Sequence, residues 1–278
     1  MDVSLHLSGV FFLICGIWWS IQITKKFYYA KDQRTDFKSS TSYTCCYSCR
    51  TFPIESFTKF AFSISYIIYE IVLATDFGHA KNLHYENLLH MTVFAFFSFS
   101  FIIEIIQHFK VKLIVNDLEY VTLIFAFGAQ ALLYGCHFTT VYSVKCVVHN
   151  LIQYTAVICC VVTALEMKFR TNVIFPLFRG VFVMVLGTWT LHTSIILEDK
   201  ELSIDTKDNA WMVTLYFTWH CAINGILMLC IWLITYKLFT HNKCCCLPLD
   251  NSTDDNVCLH NRVRFDYPLL NRFDSDAE

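Results

Sequence analysis

Residues 187–220 read GTWTLHTSIILEDKELSIDTKDNAWMVTLYFTWH, and this stretch decides the fold class. It contains the end of one apolar run, a short connection rich in acids, and the first half of the next apolar run. Each run carries one histidine, His192 or His220, within apolar sequence. Because a bilayer tolerates few polar groups at depth, the stretch predicts two membrane-spanning helices with a polar site near their connection.

The composition of the whole chain agrees with a membrane architecture. Its 278 residues are 55% hydrophobic and 16% charged, with mean hydropathy +0.47, whereas soluble domains are about 25% charged. With 8 Gly and 4 Pro there is little material for turn-rich β structure, so helices are favoured. The net charge of −2 gives no attraction to nucleic acid. The 14 cysteines lie in apolar runs or beside basic segments, unlike an extracellular disulfide framework.

Seven apolar runs are each near the about 20 residues that cross hydrocarbon as a helix. The second and fourth are short, which tilt or a thin bilayer accommodates. Within the third, FAFFSFSF (residues 94–101) alternates as a strand would, but the run is too long for a strand. We predict an all-α, seven-span transmembrane bundle in residues 1–240, with spans at about 7–24, 60–77, 88–107, 120–136, 147–165, 172–197 and 211–239, and a disordered tail in residues 241–278.

The first run is interpreted as a retained span rather than a cleaved signal peptide. It lacks a basic n-region, and Trp18 and Trp19 followed by Lys25 and Lys26 are typical of an interfacial anchor and a stop-transfer sequence.

The basic residues predict the orientation of the chain. One set of alternate connections, together with the tail, holds 16 Lys and Arg residues, and the other set holds 4. Arg179 lies inside span six and is not counted, whereas Lys237, at the end of span seven, is counted with the tail. The positive-inside rule therefore predicts a lumenal N-terminus and a cytosolic C-terminus. The basic connection 25–59 is expected to be cytosolic and partly helical at best.

Most histidines in or beside the spans map to the predicted lumenal leaflet, which suggests a site there. The alternative is a structural role, in which these histidines lie at the membrane interface or form hydrogen bonds between helices. A metal centre would need three or four converging ligands, and His137, His149 and His220 are the candidates for zinc or iron. We assign no cofactor from the sequence. The full candidate polar cluster is His6, His90, Gln130, His137, His149, His192 and His220.

Two charged residues near the predicted cytosolic ends of spans suggest a structural contact. Arg179 in span six and Glu104 in span three both lie within snorkelling range of the interface. We predict that they form an ion pair.

Several short stretches resemble the transmembrane protein 45 family, in collinear order from His6 to about Phe239. The resemblance implies a seven-span endomembrane protein with no assigned catalytic reaction. The stretches are FFLICGIWWS (11–20), LLHMTVF (88–94), ALLYGCHF (131–138), GTW (187–189) and DNAWMVTLYFTWH (208–220).

The family typically carries a Glu, a His-x-His pair, an Asp and a further His through spans four and five. The corresponding positions here are Gln130, His137, Thr139, Lys145 and His149, so three of the five are replaced. The family histidines at His6, His90 and His220 are retained. If the family's cluster binds a metal or does acid–base chemistry, these replacements impair or alter that activity in this chain. If the cluster is a packing network, the replacements are tolerated.

The cytosolic segments carry short motifs. Cys244, Cys245 and Cys246 follow the last span and are candidates for palmitoylation, while the CCxxC at residues 45–49 lacks the second half of a zinc ribbon. The sequon at Asn251 is predicted to be cytosolic and unused. Asp266, Tyr267, Leu269 and Leu270 form a candidate sorting signal for cytosolic adaptors.

Two main hypotheses of function follow. The first is a non-enzymatic membrane protein of trafficking or membrane organisation, in Golgi, endolysosomal or plasma membrane. The alternative is a metal-dependent, lipid-modifying enzyme, and whether the chain is an enzyme stays open. Its lumenal site would use His90, His137, His149, His192 and His220. A third, a proton- or ion-coupled transporter, would need charged residues near the midplane of the membrane, and few are available.

Overall fold

A computed structural model of the chain consists of seven α-helices, with no strand in the part that it describes, namely residues 3–43, 52–76, 85–109, 115, 117–135 and 143–244. All seven are long and apolar enough to cross a membrane, which confirms the predicted all-α, seven-span bundle. The tail was predicted to be disordered from residue 241. Residues 241–244 are the end of the last helix, and residues 245–278 lie outside the described part. The helices are α1 (Val3–Asp32), α2 (Ile54–Asp76), α3 (Tyr85–His108), α4 (Leu118–Gly135), α5 (Val144–Lys168), α6 (Ile174–Glu198) and α7 (Lys207–Cys244).

Most helices extend beyond the apolar runs that predicted them. α1 continues to Asp32 and α2 begins at Ile54, so polar residues on both sides of their connection are helical. An apolar run marks the part of a helix that meets hydrocarbon, whereas the backbone hydrogen bonds continue into the interface. Residues 94–101 are helical within α3, as predicted.

The up-and-down order of the helices gives the bundle two distinct ends. α1 begins and α2 ends at the histidine end, which carries His6, His90 and His149. α1 ends and α2 begins at the basic end, which carries Lys26 and Arg34.

Helices α1 and α6 pack together more extensively than any other pair among the described residues. Their glycines face one another: a Cβ on Gly187 would lie 2.8 Å from the Gly9 carbonyl oxygen, and one on Gly16 would lie 2.7 Å from the Met184 nitrogen. The two backbones are therefore in contact. Lipid chains are as apolar as the side chains, so close backbone packing through small residues holds such helices together.

Between the two ends the bundle is filled by phenylalanine rings from α1, α3 and α4. The ring centroids of Phe12 and Phe97 are 5.3 Å apart, and those of Phe97 and Phe127 are also 5.3 Å apart. Edge-to-face aromatic pairs at such distances add specific attraction to the packing. α7 lies at the periphery, where Trp219 and Ile226 are exposed on its surface.

The connection after α1 folds back into the bundle. Arg34 has φ 53°, and the Thr35 N–H donates to the Ala30 carbonyl at 3.0 Å, which is the hydrogen bond of a Schellman helix end. The chain then re-enters the basic end, where Phe37 and Tyr43 are buried. The predicted basic connection 25–59 is thus helical at both ends, and between residues 35 and 43 its alternate side chains, from Phe37 to Tyr43, are buried against the bundle.

Candidate functional site

At the basic end, the single arginine within a span is paired with a carboxylate inside the bundle through two of its nitrogens. Arg179 donates from Nε to Glu166 Oε2 at 2.7 Å and from Nη2 to Glu166 Oε1 at 3.2 Å. Both side chains are fully buried. The Tyr120 hydroxyl donates to Glu166 Oε1 at 3.1 Å. A forked arginine–carboxylate contact of this kind is the strongest way to satisfy a buried guanidinium.

The predicted ion pair between Glu104 and Arg179 is wrong, because each residue has a nearer partner of opposite charge. Lys59 Nζ lies 2.7 Å from Glu104 Oε2, and the Ser56 hydroxyl donates to the same oxygen at 2.9 Å. Lys59 was expected in a cytosolic connection, but it lies on α2 and is buried.

Trp19 lies between these two ion pairs. Its ring centroid is 4.4 Å from the Arg179 guanidinium carbon and 5.3 Å from Lys59 Nζ. The indole N–H donates to Glu55 Oε1 at 2.9 Å, and Lys59 reaches the same oxygen at 3.0 Å. A tryptophan face attracts cations and its N–H attracts carboxylates, so Trp19 joins the two pairs into one charge network.

The re-entrant segment 35–43 completes the charge network. The Ser40 carbonyl accepts from Arg179 Nη2 at 3.0 Å, and the Tyr43 N–H donates to Glu55 Oε2 at 2.8 Å. Ser39 shares a hydrogen bond of 3.1 Å with the Tyr120 hydroxyl. Burial raises the pKa of Tyr43 well above its ordinary value, so its phenol stays neutral.

At the histidine end, the central contact joins Glu70 of α2 to His90 of α3. Glu70 Oε1 lies 3.4 Å from His90 Nδ1, and the Glu70 side chain is fully buried. Ser4 and Tyr66 lie beside the carboxyl group. Within the described residues, however, neither Glu70 oxygen reaches hydrogen-bond geometry with any donor. This carboxyl group is far less satisfied than that of Glu166.

Two adjoining cavities border His90. The larger, about 30 Å³, is lined by polar and apolar residues that include Tyr134, Lys145 and His149. The smaller, about 10 Å³, is lined by Gln130, Ser8 and Thr190 among others. His90 and Tyr134 line both. The structure therefore brings His90, Gln130 and His149 of the predicted cluster to one location.

The other described histidines of the predicted cluster lie elsewhere. His192 Nδ1 and His220 Nε2 are 2.9 Å apart, so one of these nitrogens donates to the other. Trp189 packs edge-on against both rings, and neither imidazole lines either cavity. His6 Nε2 contacts the Ser194 hydroxyl at 3.3 Å. His137 lies outside the described residues.

The metal candidates do not form a ligand set in the part of the chain that the structure covers. Among those residues, no group of three or more His, Cys, Asp or Glu side chains could hold a metal ion. His149 Nδ1 instead lies 2.7 Å from the Lys145 carbonyl oxygen, and His220 bonds to His192.

Glu55, Lys59 and Glu166 belong to the charge network but are not among the site residues predicted from the sequence. Lys59 and Glu166 each lie one residue outside a predicted span, at 60–77 and 147–165; Lys59 was expected in the cytosolic connection, and Glu166 was assigned no role. The available signal was that each charged residue directly adjoins an apolar run, where the helix continues and can bury the side chain.

Of the lipidation candidates, Cys244 is the last residue of α7. Cys245, Cys246 and the sorting-signal residues Asp266, Tyr267, Leu269 and Leu270 lie outside the described residues.

Seven apolar helices around buried polar contacts define a multi-pass integral membrane protein. Residues 116–233 match the model of a family of unknown function, DUF716, the family to which the transmembrane protein 45 proteins belong. The matched stretch runs from the start of α4 into α7. It includes the Arg179–Glu166 pair and the His192–His220 pair.

Proposed function

We propose that the protein is a non-enzymatic, multi-pass component of the endomembrane system that takes part in trafficking or membrane organisation. It resides in Golgi, endolysosomal or plasma membrane, with its N-terminus lumenal and its C-terminus cytosolic. Adaptors in the cytosol bind its tail through Asp266, Tyr267, Leu269 and Leu270, and Cys244, Cys245 and Cys246 are acylated.

The observation that carries this proposal is the course of α7. The helix runs without interruption from Lys207 to Cys244, so the last helical residue is at the basic end of the bundle. The connections at that end hold most of the lysines and arginines, which favours the cytosolic side. The orientation no longer depends on Lys59, which is buried, because the other basic residues keep the same bias.

A sorting experiment on the full chain tests the proposal. The triple variant Tyr267→Ala, Leu269→Ala and Leu270→Ala removes the candidate signal, and Leu247→Ala with Leu249→Ala is the matched control in the same tail. Surface biotinylation in intact cells should show a several-fold rise in the plasma-membrane fraction for the triple variant only. An unchanged distribution would overturn the sorting role.

The same cells test the orientation. Because the tail is cytosolic, the Asn251 sequon should carry no glycan, and an epitope at the C-terminus should be detected only after permeabilisation. A glycan at Asn251, or both termini on one side of the membrane, would contradict the proposed topology.

A further inference from the structure

The histidine end contains buried polar atoms that the described chain leaves without hydrogen bonds. They include both oxygens of Glu70, Nδ1 of His90 and Oε1 of Gln130. Glu70, Gln130 and His90 come from three helices, α2, α4 and α3. Nearly all buried polar atoms in native proteins are paired, and those that are not indicate bound water or an ion, or a functional site.

The space beside His90 and Gln130 has the right size for water. A buried water needs about 10–15 Å³ and two to four polar neighbours. The larger cavity, about 30 Å³, has a mostly apolar wall that includes Tyr134, His149 and Lys145, and the smaller, about 10 Å³, has a more polar wall with Gln130, Ser8 and Thr190. Both volumes are too small for a lipid or a metabolite, and the polar groups on their walls are partners for water.

Both cavities are lined by an imidazole that also contacts a buried carboxyl group. His90 lines both of them and lies 3.4 Å from Glu70 Oε1. Ionisable residues within membrane spans that face a hydrated interior are typical of proton and ion pathways. We infer that Glu70, His90 and the two cavities form a hydrated proton-binding site at the histidine end of the bundle.

The chemistry of the site is a simple proton transfer. An O–H bond of a protonated cavity water breaks as an N–H bond forms on the His90 imidazole, which leaves neutral water and an imidazolium next to the Glu70 carboxylate. Release reverses the same step. Histidine is suited to this role because its proton exchanges between about pH 5 and 8.

Other titratable groups face this site and belong to its protonation. Tyr66 lies beside Glu70 on α2. Tyr134 of α4, with Lys145 and His149 of α5, lines the larger cavity. From α1 and α6 the cavity walls receive only non-titratable side chains, such as Ser8 and Thr190.

Infrared difference spectroscopy of the reconstituted full chain tests the inference. Steps of external pH between about 5 and 8 should change the imidazole and carboxyl absorption bands together in the wild-type protein. Glu70→Gln and His90→Gln should each abolish this coupled change. His192→Gln is the control, because His192 does not line the cavities, and it should retain the change. Coupled bands that persist in Glu70→Gln, or that are absent from the wild type, would overturn the inference.

A second measurement needs no variant and therefore does not depend on folding of the mutants. Radiolytic labelling in ¹⁸O-water marks aromatic residues that contact bound water. Tyr134, on both cavity walls, should be labelled several-fold more than Phe127, which is equally buried in the aromatic core. Equal and low labelling of the two residues would show that the cavities are dry and would contradict the proton site.

Discussion

The two ends of the bundle differ in how the oxygens of a buried carboxyl group are hydrogen-bonded. At the basic end, Glu166 accepts two hydrogen bonds from Arg179 and a third from Tyr120. At the histidine end, Glu70 is equally buried, but His90 Nδ1 lies 3.4 Å from its Oε1 and no donor among the described residues reaches hydrogen-bond geometry with either oxygen. Cavities border the histidine end site, whereas the Arg179 guanidinium is packed against Trp19.

This difference separates a structural network from a candidate functional site. A buried charge is costly unless it is paired and hydrogen-bonded. At the basic end Arg179 and Lys59 each donate to a carboxylate, although Arg179 Nη1 and Glu104 Oε1 make no hydrogen bond within the described residues. The charge network also fastens segment 35–43 to the bundle. The histidine end keeps polar atoms unpaired beside space for water, which is costly unless the site binds something.

Breaking the charge network should have the largest effect on stability. Arg179→Met leaves the Glu166 carboxylate buried without its cation, and removal of one partner of a buried pair costs about 3–5 kcal/mol. We therefore expect a large loss of folded protein and a much lower midpoint of thermal unfolding in detergent micelles.

The double variant Arg179→Met with Glu166→Met is the control for this prediction. It replaces both charges by apolar groups, which is often nearly neutral, so it should recover most of the lost stability. A double variant as unstable as the single one would mean that the effect comes from lost packing on Trp19 rather than from an unpaired charge.

The sequence predicted the fold well because the hydrocarbon thickness imposes the length of each apolar run. It did not predict the partners in the charge network. Both pairs join consecutive helices, Glu166 with Arg179 across 13 positions of the chain and Lys59 with Glu104 across 45. The rotation of each helix about its axis, which the sequence pattern does not define, decides which side chains meet. The location of the histidines at one end could be predicted from topology, whereas the division into a cavity site and the His192–His220 pair depends on how each helix is rotated.

The seam between α1 and α6 connects both ends and gives the next largest effect. A Cβ at Gly187 would lie 2.8 Å from both the Gly9 oxygen and the Leu13 Cα, which are backbone atoms that cannot rotate away. Gly187→Ala should therefore separate the helices and cost about 1–3 kcal/mol, as overpacking of a core does. Chemical unfolding of the purified protein measures this change.

Gly225→Ala on α7 is the matched control for the seam. A Cβ there meets no atom within 4 Å, and alanine favours a helix over glycine, so the stability should be unchanged or slightly higher. If both variants lose stability equally, close contact between the α1 and α6 backbones is not what holds them together.

The smallest effect is expected for Glu70→Gln at the histidine end, and it tests the comparison most directly. The change keeps the size of the side chain and removes a charge that has no hydrogen-bond donor among the described residues, so unfolding should change by less than about 1 kcal/mol. The same substitution at Glu166 removes the counter-ion of Arg179 and should lower the free energy of unfolding several times more.

Both variants are measured by chemical unfolding at the same neutral pH. If Glu70→Gln is as destabilising as Glu166→Gln, the Glu70–His90 contact is a structural ion pair like the one at the basic end. If Glu70→Gln leaves the stability nearly unchanged, stability does not explain why a carboxyl group is buried against His90, the histidine that lines both cavities.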